Sequence, residues 1–69
     1  MKQITASQID TATFQSAMTT TKFIRLAPDY LKWITYPGEH MAEGTDEEAD
    51  EVMDNLREDG YKCVAAEWA

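Results

Sequence analysis

Apolar positions change period along this chain, and the changes mark its elements. From Thr45 to Asp59 they recur as Ala49, Val52, Met53 and Leu56, the i, i+3, i+4, i+7 spacing of one buried helical face. Thr45-Asp46-Glu47-Glu48 opens the segment with a capping-box pattern, in which Thr45 caps the free N–H of Glu48 and Glu48 returns the bond. Gly60 follows as a left-handed terminator. The pattern predicts a helix over 45–59.

Elsewhere the pattern points to extended chain. Lys22-Phe23-Ile24-Arg25-Leu26 and Tyr30-Leu31-Lys32-Trp33-Ile34-Thr35-Tyr36 are rich in β-formers and flank Ala27-Pro28-Asp29, where proline suits the second position of a tight turn. A hairpin is the simplest reading. A helix starting at Pro28 competes with it, but the clustering of Trp, Ile, Thr and Tyr favours a strand. Within the second strand Tyr30, Lys32, Ile34 and Tyr36 alternate with Leu31 and Trp33, so the two tyrosines share one side and Trp33 takes the other. Tyr61 to Trp68 reads as a closing strand, with Val64, Ala66 and Trp68 on one face.

Two further segments complete the expected order. Thr5-Ala6-Ser7-Gln8 and Ser7-Gln8-Ile9-Asp10 both resemble helix starts, which predicts a helix from about Ser7 to Met18 using Phe14, Ala17 and Met18 as apolar contacts. Pro37-Gly38 ends the second strand, and Glu39 to Gly44 reads as a polar loop. The expectation is an α+β domain over 1–69, in the order α-β-β-α-β, with a three-stranded sheet and two helices. The acidic helix is then a crossover between the second and third strands, right-handed if these run parallel.

Composition narrows the setting. A chain of 69 residues makes a single small domain that buries only about 60% of the surface its unfolded form exposes. With 43% hydrophobic and 10% aromatic residues it is too apolar for a disordered acidic tail. Cys63 is the one cysteine, so no internal disulfide is available and a reducing cytoplasm is the natural compartment. The segment MKQITASQID has no apolar run of signal-peptide type, and no stretch approaches the ~20 apolar residues of a membrane span.

Charge supplies the functional signal. Residues 1–38 carry Lys2, Lys22, Arg25 and Lys32 against Asp10 and Asp29, whereas residues 39–69 carry eleven carboxylates against Arg57 and Lys62, giving −7 overall. This balance disfavours nucleic acid and anionic lipid as direct ligands and favours a basic protein. On a helix advancing 100° per residue, Glu47, Glu51, Asp54 and Glu58 lie within about 60° of one another, opposite the apolar stripe. With Asp50 on the helix and Glu39 and Glu43 in the preceding loop, they form the candidate partner-binding surface. The same face also suits plain solubility. Tyr30, Trp33 and Tyr36 form a second candidate interface, since aromatic side chains left on an uncovered sheet face favour docking. Homodimerisation through that face or through the C-terminal edge strand is a third option.

The remaining chemistry is sparse. His40 stands without partners at metal-ligand spacing, and Asp46, Glu47, Glu48 and Asp50 lack the pattern of a calcium loop. Cys63, in a strand beside Lys62 on the opposite face, reads as a buried core thiol. Ser7 and Ser16 lack nucleophile context, and Gly38, Gly44 and Gly60 are too dispersed for a phosphate loop. No catalytic residue, metal or cofactor is expected.

At class level the hairpin, the acidic segment TDEEADEVMDNLRED and the closing GYKCVAAEW together resemble the small acidic inhibitors that bacteriophages direct at host machinery, anti-CRISPR proteins and host-polymerase inhibitors among them. The resemblance implies a non-enzymatic inhibitor in the host cytoplasm. Its implied partner is a basic host protein that handles nucleic acid, blocked by a helix that mimics a nucleic-acid backbone. It assigns no residue.

Overall fold

The computed structural model describes residues 3–69; Lys2, counted above in the charge of the N-terminal half, lies outside them. A single 3-10 turn at Ala6–Gln8 leads into strand β1 (Ile9–Gln15), followed by β2 (Thr20–Ala27), β3 (Tyr30–Tyr36), β4 (His40–Thr45), helix α1 (Asp46–Glu58) and β5 (Lys62–Trp68). The strands form one antiparallel sheet in the order β4-β3-β2-β1-β5. α1 therefore carries the chain from one sheet edge to the other.

This architecture corrects the expected three-stranded sheet with two helices. The N-terminal helix is absent: Thr5 and Gln8 do form a capping box, but it caps only the 3-10 turn. Ile9, Thr11 and Thr13 are β-branched, and from Thr11 on, half-buried residues alternate with buried Ala12 and Phe14, a period of two that suits a strand. The polar loop expected at Glu39–Gly44 is instead strand β4 in all but its first residue, paired to β3 from Thr35↔His40 to Tyr30↔Thr45. An edge strand with one covered position, Gly44, needs no apolar run to form. The crossover is corrected too, since β5 pairs antiparallel with β1 and does not adjoin β4.

The hairpin of β2 and β3 turns at Pro28-Asp29 as expected, with Phe23 opposite Trp33 and Lys22 opposite Ile34. Partners in register share a face. Phe14, Phe23 and Trp33 thus line the face under α1, with Phe14 and Phe23 edge to face at 5.6 Å and Phe23 tilted on Trp33 at 5.5 Å. Ala49 and Met53 of α1 close over this layer, joined by Ala6, Ile9, Ala12 and Leu31, all buried. Each of the larger side chains contributes roughly 1.5–3 kcal/mol by leaving water. Thr21, the buried polar residue, shares a hydrogen bond with Thr35 across the strands at 3.1 Å.

The opposite sheet face has no covering layer. Thr11, Thr13, Lys22, Ile24, Lys32, Ile34 and Met41 line it, by their register with one another. α1 is too short to be a transmembrane segment: among the described residues no helix is long and apolar enough to cross a membrane.

Candidate functional site

The helix that carries the acidic ridge is fixed at its start by its own sequence. The Thr45 hydroxyl accepts from the Glu48 N–H at 3.3 Å, and the Glu48 carboxylate accepts from the Thr45 N–H at 2.9 Å. Asp46, Glu47 and Glu48 fill the first turn, where the positive end of the helix dipole favours acids. Gly60, at φ 95°, ends the helix.

Two of the helix acids are held internally. Asp46 binds the Arg25 guanidinium of β2 at 2.7 Å. Arg25 also donates to the backbone carbonyls of Ala6, Ile9, Ala27 and Pro28, so it ties the 3-10 turn, two strands and the helix start together. Asp50, one of the expected partner-binding residues, is half-buried and accepts from the Ala6 N–H at 2.6 Å. Its first role is therefore to hold the helix against the N-terminal turn.

Glu47, Glu51, Asp54 and Glu58 all project to solvent on the outward side of α1. From the first to the last they span about 16 Å of helix axis at about 1.5 Å per residue. Among the described residues only Asp54 of these four has an ion-pair partner, Arg57 one turn on at 3.1 Å, and its carboxylate side chain stays 70% exposed. Arg57 itself lies inward, donating to the Ile4 carbonyl at 2.9 Å and resting over the Phe14 ring at 5.2 Å. The ridge keeps most of its charge.

Glu39 and Glu43 do not extend it. Glu43 pairs with Lys32 on the uncovered sheet face and accepts from the Tyr30 hydroxyl at 3.2 Å. Glu39 sits exposed in the β3–β4 turn at φ 51°. Desolvation first, then the charge and hydrogen bond of Glu43 and the charge of Glu48, raise the Tyr30 phenol above 10.0. Tyr30 and Tyr36 share the uncovered face, with the Lys22 ammonium 5.9 Å from the Tyr36 ring centre. Trp33 does not join them; it belongs to the core layer against Phe23.

Lys22 and Lys32 thus face away from the helix, on the far side of the sheet from the ridge. The sheet separates these two lysines from the ridge. Helical spacing alone reveals the ridge, whereas this separation depends on long-range pairing and on which sheet face α1 covers.

The rest of the surface offers little chemistry. Cys63 is exposed on β5, which overturns its reading as a core thiol. Among the described residues no three His, Cys, Asp or Glu side chains converge where a metal ion could sit. Open depressions of about 240 Å³ and about 320 Å³ are lined by Lys32, Met41, Ala42 and Glu43, and by Ile4, Thr5, Asp50 and Arg57 among others. Comparison with known proteins finds no matching family model, no significantly similar curated protein and no significantly similar solved structure.

Proposed function

We propose that this chain is a non-enzymatic, protein-binding inhibitor whose helix α1 occupies a basic groove on a nucleic-acid-binding protein. The observation that carries this reading is the exposure of Glu47, Glu51, Asp54 and Glu58 on one face, where the two arginines of the described residues are engaged: Arg25 with Asp46, and Arg57 largely with backbone and Phe14. Lys22 and Lys32 sit behind the sheet, where they leave the ridge unneutralised. A field of one sign speeds encounter with a groove of the other.

Inhibition is by occlusion, since nucleic acid and the helix compete for one groove. The reading keeps the resemblance to phage-encoded inhibitors and places the chain in a host cytoplasm, a setting in which the exposed, unpaired Cys63 stays reduced. The test is salt-stepped release of captured partners from bacterial lysate, followed by competition with duplex DNA. Release between about 50 and about 200 mM salt and displacement by DNA support it. A partner that resists both steps contradicts it and favours docking through the uncovered face, where Tyr30, Ile34, Tyr36 and Met41 gather.

A further inference from the structure

Strand β5 is exposed at every residue, on both faces and along one edge, although it is paired to β1 through its length. α1 packs over β3, β4 and the N-terminal turn and leaves this end of the sheet bare. Val64 is 56% exposed and Trp68 63%, a large apolar commitment for a strand with no proline. A seven-residue edge of this kind is a template for another strand.

We propose that β5 pairs antiparallel with β5 of a second copy, joining two sheets into one of ten strands. The occupant follows from how the strand reads against itself. A two-fold axis through the strand centre sets Lys62 opposite Glu67 of the partner subunit, Cys63 opposite the partner's Ala66, and Val64 opposite the partner's Ala65. It also brings Trp68 to Tyr61 of the partner subunit. Both ends of the strand thereby meet opposite charge, and each exposed Trp68 meets a ring.

In a regular strand this register fails, because residues 62 and 67 point to opposite faces. The bulge at Val64 removes the conflict. On β1, Thr11 and Gln15 share a face, and they pair with Glu67 and Lys62; Ala12 and Phe14 share the other, and they pair with Ala66 and Cys63. Lys62 and Glu67 therefore lie together on the uncovered face, with Cys63 and Ala66 together on the helix face. Tyr61 packs against the core from that helix face, the side of Trp68, which pairs with buried Ile9.

The backbone groups agree with the side chains. The Ala69 N–H donates to the Gln8 carbonyl at 2.9 Å, so by alternation Glu67 and Ala65 turn their polar groups toward β1 while Ala66 and Trp68 turn theirs outward. Across the bulge the outward residue is Cys63. Ala66 and the partner's Cys63, both outward, exchange the hydrogen bonds at the dyad. Bulges at an edge ordinarily re-aim side chains or end pairing; here the bulge re-phases the strand so that it complements itself.

This dimer is independent of the proposed inhibitor role. The experiment is sedimentation equilibrium of the full chain from about 10 µM to about 500 µM at about 150 mM salt, where the repulsion of two acidic chains is screened and a small interface still associates. The expected result is a mass rising from 7.8 kDa toward twice that value. Lys62→Glu weakens the dimer at least about tenfold by placing like charges opposite each other, and adding Glu67→Lys restores it. Ala66→Pro abolishes it while leaving the fold, because the lost N–H points away from β1. A mass fixed at 7.8 kDa, or a dimer indifferent to both Lys62→Glu and Ala66→Pro, overturns the proposal.

Discussion

Arg25 and Asp46 meet at 2.7 Å where the sheet and the helix join, with side chains only 14% and 19% exposed. Because the same guanidinium serves four backbone carbonyls, its loss takes a donor from the partly buried Ala6 and Ile9 carbonyls and from the Asp46 carboxylate. Arg25→Ala is expected to cost about 3 kcal/mol, the lower end of the range for breaking a buried pair. A domain of this length holds roughly 3–10 kcal/mol in all. Urea unfolding should show Arg25→Ala close to the folding threshold and Asp46→Asn losing only about 1 kcal/mol, since an amide still accepts from Arg25.

The helix start offers a second test. Thr45→Ala removes the cap and should cost about 1 kcal/mol. A Cβ added at buried Gly44 would lie 2.8 Å from Glu48 Oε1 and 3.1 Å from Glu48 Cβ, so Gly44→Ala displaces the other half of the same box. Gly44→Ala and Glu48→Ala are therefore expected to be sub-additive when combined, by about 0.5 kcal/mol or more in a double-mutant cycle. Full additivity would mean that Gly44 is needed for some other reason.

Tyr30 offers a test at alkaline pH. Its phenol is raised above 10.0 in the folded protein by desolvation and by Glu43, so the folded state holds that proton more firmly than the unfolded chain does. The resulting stability is fully present below pH 10.0 and is lost as the pH rises through the folded value. Spectrophotometric titration at the tyrosinate band should therefore lose an ionisation above pH 10.0 in Tyr30→Phe. The same variant should show a shallower fall of urea midpoint with pH above that point.

Local signals in the sequence were read correctly where tertiary structure agreed with them. The capping box of Thr45 and Glu48, the Ala49–Leu56 stripe and Gly60 delimit α1 within a residue at each end. The alternation that separates Tyr30 and Tyr36 from Leu31 and Trp33 holds in β3. Thr5 and Gln8 misled because a capping box reports only that a turn begins, and Ile9, Thr11 and Thr13 end it at once. β4 is illegible because Met41 and Glu43 face away from the helix, while Ala42 and the one covered residue, Gly44, carry almost no hydrophobic signal. The place of β5 at an edge, and hence the exposure of Cys63 and Trp68, follows from long-range pairing with β1 that no local pattern encodes.

At the candidate site the ridge of Glu47, Glu51, Asp54 and Glu58 was legible from helical spacing alone. The internal use of Asp46 and Asp50 was not, since Arg25 and the Ala6 N–H approach them from distant parts of the chain. Glu43 belongs to strand β4 rather than to a loop beside the helix, which takes it away from the ridge.

The most direct test of the inhibitor reading compares the wild-type chain with Glu47→Lys/Glu51→Lys/Asp54→Lys/Glu58→Lys in capture from bacterial lysate. Circular dichroism and urea unfolding first establish that both are folded. All four side chains are exposed, so the variant should still fold, losing about 2 kcal/mol at most from the first-turn charge of Glu47 and the Asp54–Arg57 pair. The account predicts that a nucleic-acid-binding protein is captured by the wild-type chain and lost from the variant. Capture of the same partner by both would contradict it.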